Sequence, residues 1–109
     1  MFRRRRATDG LPELADVPTH DAAGRPVRVV LLGRPGCHLC DVARAQVRTV
    51  AEECAVGWVE RSIEDSAALL GRYAELVPVV LVDGREHAHY RVRPEALRAA
   101  LGRRRGRRR

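Results

Sequence analysis

Residues 34–40 read Arg-Pro-Gly-Cys-His-Leu-Cys, placing two thiols, Cys37 and Cys40, one helical turn apart. Apolar residues Leu39, Ala43, Val47, Val50, Ala51 and Cys54 then recur at steps of three or four, the pattern of an amphipathic helix over residues 38–54. Cys37 therefore falls at or just before a helix start, where unpaired backbone N–H groups and the positive end of the helix dipole favour an anion. A free thiol has a pKa of about 8.5, and such settings lower it to roughly 3.5–7.5. Arg34 and His38 stand close enough in sequence to add to this effect. Cys40, one turn on, is set back towards the core. A pair in that relation can exchange electrons with a disulfide: Cys37 attacks, and Cys40 resolves the mixed disulfide.

Other chemistries for these cysteines fit less well. Zinc needs two further ligands, for which Cys54, His87 and His89 are the candidates, and there is no second Cys-x-x-Cys. Haem attachment requires histidine directly after the second cysteine, where Asp41 stands. Cys54 lies within the apolar stripe and reads as a buried packing residue, and Trp58 reads as core. His87 and His89 alternate on a strand and are expected to share an exposed face.

The elements that must position the pair follow from periodicity and punctuation. Residues 27–32 (Val-Arg-Val-Val-Leu-Leu) form a buried strand ended by Gly33, Pro35 and Gly36. The first helix is followed by a strand over residues 56–63. Asp65 and Ser66 supply cap chemistry for a second helix running to about residue 76. Residues 79–82 make a third strand, Asp83-Gly84 a tight hairpin turn, and residues 86–92 a fourth strand. Pro94 opens a last helix that Gly102 should end. A helix between the first two strands implies a right-handed parallel crossover, and the last two strands an antiparallel hairpin. The fold class is α/β: β-α-β-α-β-β-α, a four-stranded mixed sheet with helices on both faces. Three divisions result: an arm over residues 1–24, expected to be flexible, a domain over residues 25–102, and a basic tail over residues 103–109.

A helix-opening Cys37-x-x-Cys40, about forty residues, Val77-Pro78 before a short strand, then an Asp-Gly hairpin and a closing helix resemble the glutaredoxin branch of the thioredoxin superfamily. The likeness is to its small bacterial glutaredoxin-like proteins and their minimal thioredoxin fold. It covers residues 27–101. The resemblance implies that Cys37 is the exposed nucleophile and Cys40 the resolving thiol. It places Arg34 where glutaredoxins carry a lysine that contacts the glutathione carboxylate. It makes Pro78 a cis-proline and assigns the Val77 backbone to pairing with substrate; His38, by its place inside the motif, reads as tuning Cys37 rather than donating a proton. The chain departs from the family where Gly-Gly-Asp is expected: residues 87–91 are His-Ala-His-Tyr-Arg, and Leu39 replaces the usual aromatic within the cysteine motif. The implied activity is thiol-disulfide exchange on a disulfide-containing protein or a small thiol. No bound cofactor is expected; glutathione or another low-molecular-weight thiol could serve as electron donor.

Charge qualifies this reading. The 109 residues carry 21 basic and 14 acidic side chains, a net +7, and every basic residue is arginine. Ten of those arginines lie in residues 3–6 and 103–109, so the basic character belongs to the ends. The alternative function is a non-catalytic thioredoxin-fold module whose ends contact nucleic acid or acidic partners through charge. The chain has no lysine and no aromatics interleaved with the arginines, so solvated ends are the better reading. No apolar run approaches the roughly 20 residues of a membrane span, and residues 8–24 lack the apolar core of a signal peptide. A cytoplasmic monomer without membrane contact is expected.

Overall fold

The computed structural model describes residues 7, 8 and 10–106, with side chains to residue 102. Its elements are β1 (Val27–Gly33), α1 (His38–Cys54), β2 (Gly57–Ser62), α2 (Ala67–Tyr73), β3 (Val79–Val82), β4 (Arg85–His89) and α3 (Pro94–Gly106). The strands lie in the order β2-β1-β3-β4, with β1 parallel to β2 and antiparallel to β3, and β3 antiparallel to β4. This is the mixed four-stranded sheet of a minimal thioredoxin fold, as the order of elements predicts.

Strand β1 is central, and its side chains alternate between two cores. Val29 and Leu31 pack with Val47 and Val50 of α1, Val80 and Val82 of β3, and Leu97 and Leu101 of α3. Val30 and Leu32 pack on the other face with Ile63, Leu69, Tyr73, Val79 and Leu81. Burial on both sides explains why this strand reads as an unbroken apolar run. The loop ends follow local chemistry. Ser66 Oγ accepts the Leu69 N–H and caps α2. Asp83 and Gly84 both have positive φ, 52° and 83°, as a two-residue hairpin turn of the primed type requires.

Several boundaries differ from expectation. Strand β4 stops at His89 rather than at residue 92, with His87 the extra residue of a bulge between the Val80–Ala88 and Leu81–Glu86 pairs. Helix α2 ends at Tyr73, short of residue 76. Gly102 does not end α3, whose backbone stays helical to Gly106, because a glycine stops a helix only where it takes up the left-handed cap conformation. The basic tail expected from residue 103 thus begins as helix.

The largest correction concerns the arm. Among its described residues, Ala7, Leu11, Leu14 and Val17 form a packed strap, buried against β1, β3 and α2. The turns bonding Leu14 N–H to Leu11 C=O and Val17 N–H to Leu14 C=O repeat every three residues, so Leu11, Leu14 and Val17 share one side. Asp21 then accepts the N–H groups of Ala23 and Arg25 and turns the chain into β1. Burial of these apolar side chains holds the strap down. A short α2 covers too little of this face by itself, and the strap supplies the rest. Residues 1–6, with the arginines at 3–6, residue 9 and residues 107–109 lie outside the described residues.

A second tie joins the sheet to α3. Arg28 donates to both carboxylate oxygens of Asp83, from Nε at 3.1 Å and Nη2 at 2.9 Å, and to the Leu101 carbonyl at 3.2 Å. Both side chains are almost buried, so the pair is worth most through the cost of breaking it. Two outcomes are expected in urea denaturation. Leu14→Ala lowers stability by about 2–5 kcal/mol, whereas a loose arm predicts no change. Asp83→Asn, which tolerates the positive φ but leaves Arg28 buried without a counter-charge, costs roughly 3 kcal/mol.

Candidate active site

Cys37 is the N-cap of α1, with extended backbone (φ −103°, ψ 110°), and its Sγ accepts the Cys40 N–H at 3.2 Å. Gly36, at φ 73°, makes the turn that delivers the chain to this cap. The sulfurs of Cys37 and Cys40 stand at disulfide distance, with their Cα atoms 5.2 Å apart, inside the usual range for such a bridge. The two thiol positions differ in access: Cys37 is half-buried, whereas Cys40 has no exposed surface.

Strand β1 ends in glycine because Cys40 packs onto it. A Cβ placed at Gly33 would lie 3.1 Å from Cys40 Sγ and 3.3 Å from its Cβ, tighter than ordinary contact. The Glu60 carboxylate reaches the same point, 3.8 Å from that position. Arg44 grips Glu60 through Nε (2.7 Å) and Nη2 (2.9 Å) and Asp41 through Nη1 (2.9 Å), clamping the start of α1 to β2. The Glu60 hydrogen bond, with Asp41 behind it, holds Arg44 still more firmly in its charged form.

Sheet register places the other expected residues. Gly33 pairs with Ser62 of β2. Leu32 pairs with Val79, which sets Pro78 beside Gly33 and Val77 beside Arg34. The Val77-Pro78 bond is cis, Pro78 is buried, and Val77 is half-buried. The N–H and C=O of Val77 have no partner among the described residues. Across the last strand, Tyr90 donates its N–H to the Pro78 carbonyl at 2.8 Å. One end of the sheet is therefore a row of Ser62, Gly33, Pro78 and Tyr90, with Cys37 capping the helix that rises from it. This is the end at which the parallel strands point their carboxyl termini, the usual site of function in open α/β sheets.

Arg34 is exposed and donates to the Ala74 carbonyl at 3.2 Å, joining the cysteine loop to the end of α2. His38 is exposed within the motif. Cys54 closes α1, about 20 Å of helix from Cys40, and shares no site with it. Rather than fully buried it is half-buried, as is Trp58, both packed against the core that α1 and α3 enclose. Sequence reading did not single out Gly33, Glu60, Arg44 or Tyr90 as site residues. Only a strand end at glycine, seven residues before a buried cysteine, hinted at the first.

The matched model is that of the Glutaredoxin-like domain (DUF836), over residues 28–102. The chain belongs to this family. The glutaredoxin-like chain is 31% identical over 81 residues to the uncharacterized protein Rv0508 of Mycobacterium tuberculosis, covering 70% of this chain and 84% of that one. Among solved structures it is similar to protein Ne2328 from Nitrosomonas europaea, at 29% identity and a TM-score of 0.59, covering 68% of this chain and 89% of that one. It is also similar to protein XcR50 from X. campestris, at 33% identity and a TM-score of 0.51, covering 67% and 93% respectively.

The contact between Gly33 and Cys40 yields a test of the site. Gly33→Ala is expected to push the Cys40 side chain away, lower stability by about 1–3 kcal/mol, and hinder closure of the Cys37–Cys40 bond. A redox titration should then show the variant shifted towards the dithiol. An unchanged midpoint would mean that Gly33 does not set the position of Cys40.

Proposed function

We propose that this glutaredoxin-like protein is a thiol-disulfide oxidoreductase that reduces disulfides of proteins or low-molecular-weight thiols. The observation that carries this is the Cys37–Cys40 pair at disulfide distance, one sulfur accessible at a helix N-cap and the other buried against Gly33. In the reduced protein the Cys40 N–H and the helix end stabilise the Cys37 thiolate. That thiolate attacks one sulfur of the substrate, forming a mixed disulfide and releasing the other as a thiolate. Cys40, after losing its proton, attacks the Cys37 sulfur, closes the intramolecular bond and releases the second substrate thiolate. Two electrons pass from the protein to the substrate. Glutathione or another low-molecular-weight thiol then reduces Cys37–Cys40 and restores the dithiol.

In this reading Val77 presents its free N–H and C=O to an extended substrate, and Pro78 holds that backbone in place. Arg34 offers a cation beside the nucleophile, and His38 adjusts its charge. The dithiol state required for turnover fits a reducing, cytoplasmic compartment. Among the described residues no helix is long and apolar enough to cross a membrane.

Cys40→Ser should accumulate a covalent adduct with a disulfide substrate, seen by mass spectrometry and released by dithiothreitol. Cys37→Ser should form none, and the wild type should reduce a model protein disulfide with dithiothreitol as donor. If the wild type reduces nothing and neither variant is modified, the protein is not an oxidoreductase.

A further inference from the structure

Tyr90 occupies the sheet-end row beyond Pro78, and nothing among the described residues around it accounts for it as a folding residue. Its φ is 67°, the left-handed region that glycine adopts freely and a bulky side chain does not. The side chain is 48% exposed, so it gains little from burial. Among the described residues its one ring contact is edge-on to His89, with centroids 4.7 Å apart, and His89 is itself exposed. The backbone is nevertheless held firmly, since the Tyr90 N–H donates to the Pro78 carbonyl. An aromatic residue thus has its backbone held in an unfavourable conformation with its ring largely open to solvent, one strand from the cis-proline.

We infer that Tyr90 is a specificity-determining residue whose ring meets an apolar side chain of an extended polypeptide substrate. This rests on the oxidoreductase reading and names its substrate class. A polypeptide paired with the free N–H and C=O of Val77 runs along the sheet end, and the neighbouring strand lies about 5 Å further on. Substrate residues flanking the half-cystine therefore pass the Tyr90 ring. Leu39, also 48% exposed, adds apolar surface on the helix side of Cys37. A small disulfide that reaches only Cys37 does not extend as far as Tyr90. Offset or edge-on aromatic contact supplies the discrimination, and it does not require the phenolic hydroxyl.

The test compares the wild type, Tyr90→Gly and Tyr90→Phe with dithiothreitol as donor. The substrates are an octapeptide disulfide with leucine beside each cysteine, the same peptide with glycine there, and bis(2-hydroxyethyl) disulfide. Tyr90→Gly is expected to raise KM for the leucine peptide by about tenfold with kcat little changed. The glycine peptide and the small disulfide should be affected less than about twofold, Tyr90→Phe should match the wild type, and the Tyr90→Gly melting temperature should hold or rise. Equal losses on all three substrates, or none on the leucine peptide, overturn the assignment to Tyr90 while leaving the oxidoreductase reading intact. A wild type that reduces none of the three overturns both.

Discussion

Everything in this molecule depends on β1 being buried on both faces. Val29 and Leu31 point into one core and Val30 and Leu32 into the other, all with no exposed surface. A strand of this kind is stable only between two covering layers, because apolar surface left bare on either side would forfeit about 25 cal/mol per Å². Helices α1 and α3 cover one side. The other has the seven-residue α2, and the strap from residue 7 onward completes it. The same strand leads directly into the cysteine motif, so rigidity of the core becomes rigidity of the site. Its last residue, Gly33, leaves room for the Cys40 sulfur, which brings the buried member of the pair against the sheet.

The arginines divide into two populations with different physics. Arg28 and Arg44 are paired through two nitrogens with Asp83 and Glu60, and each spans separate elements: Arg28 joins β1, the hairpin turn and α3, and Arg44 joins α1 to β2. A planar guanidinium suits such multi-contact sites, where lysine would supply a single point of charge. The arginines of residues 3–6 and 103–109 are grouped at the ends, and they account for the basic character of a chain whose residues 25–102 carry 11 arginines against 10 acids. Net charge is thus a poor guide to this protein's chemistry.

The accessible sulfur and the buried sulfur have different jobs in the proposed exchange, and the fold separates them by simple means. An N-cap residue must have extended backbone and a side chain turned to the free N–H groups of the first turn, which puts Cys37 at the rim. A residue three positions later faces inward on the same helix, which puts Cys40 below it. In the proposed exchange the substrate would meet the row beside them, in which, among the described residues, Val77 keeps unpaired main-chain groups and Tyr90 an exposed ring. Residues 87–91 also differ from the Gly-Gly-Asp expected by resemblance to glutaredoxins, consistent with a different choice of partner.

Sequence alone determined the features that depend on neighbours along the chain. The bounds of α1 and β3, the cap at Ser66, the Asp83-Gly84 turn and the position of Cys37 at the helix start were legible because 3.6-residue periodicity, capping chemistry and turn residues are local. The parallel and antiparallel pairings followed from chirality and loop length. The strap was not legible as packed structure: its apolar residues recur every three positions among prolines and acids, and their burial depends on a gap beside α2 that exists only once the sheet forms. Gly102 looked like a helix stop, yet it has a helical backbone in α3. Tertiary structure alone decided that Glu60 meets Arg44, that Cys40 lies against Gly33, and that Tyr90 stands next to Pro78. These contacts are made between separate elements, and only the packing of α1 onto the sheet and the strand order β2-β1-β3-β4 bring them together.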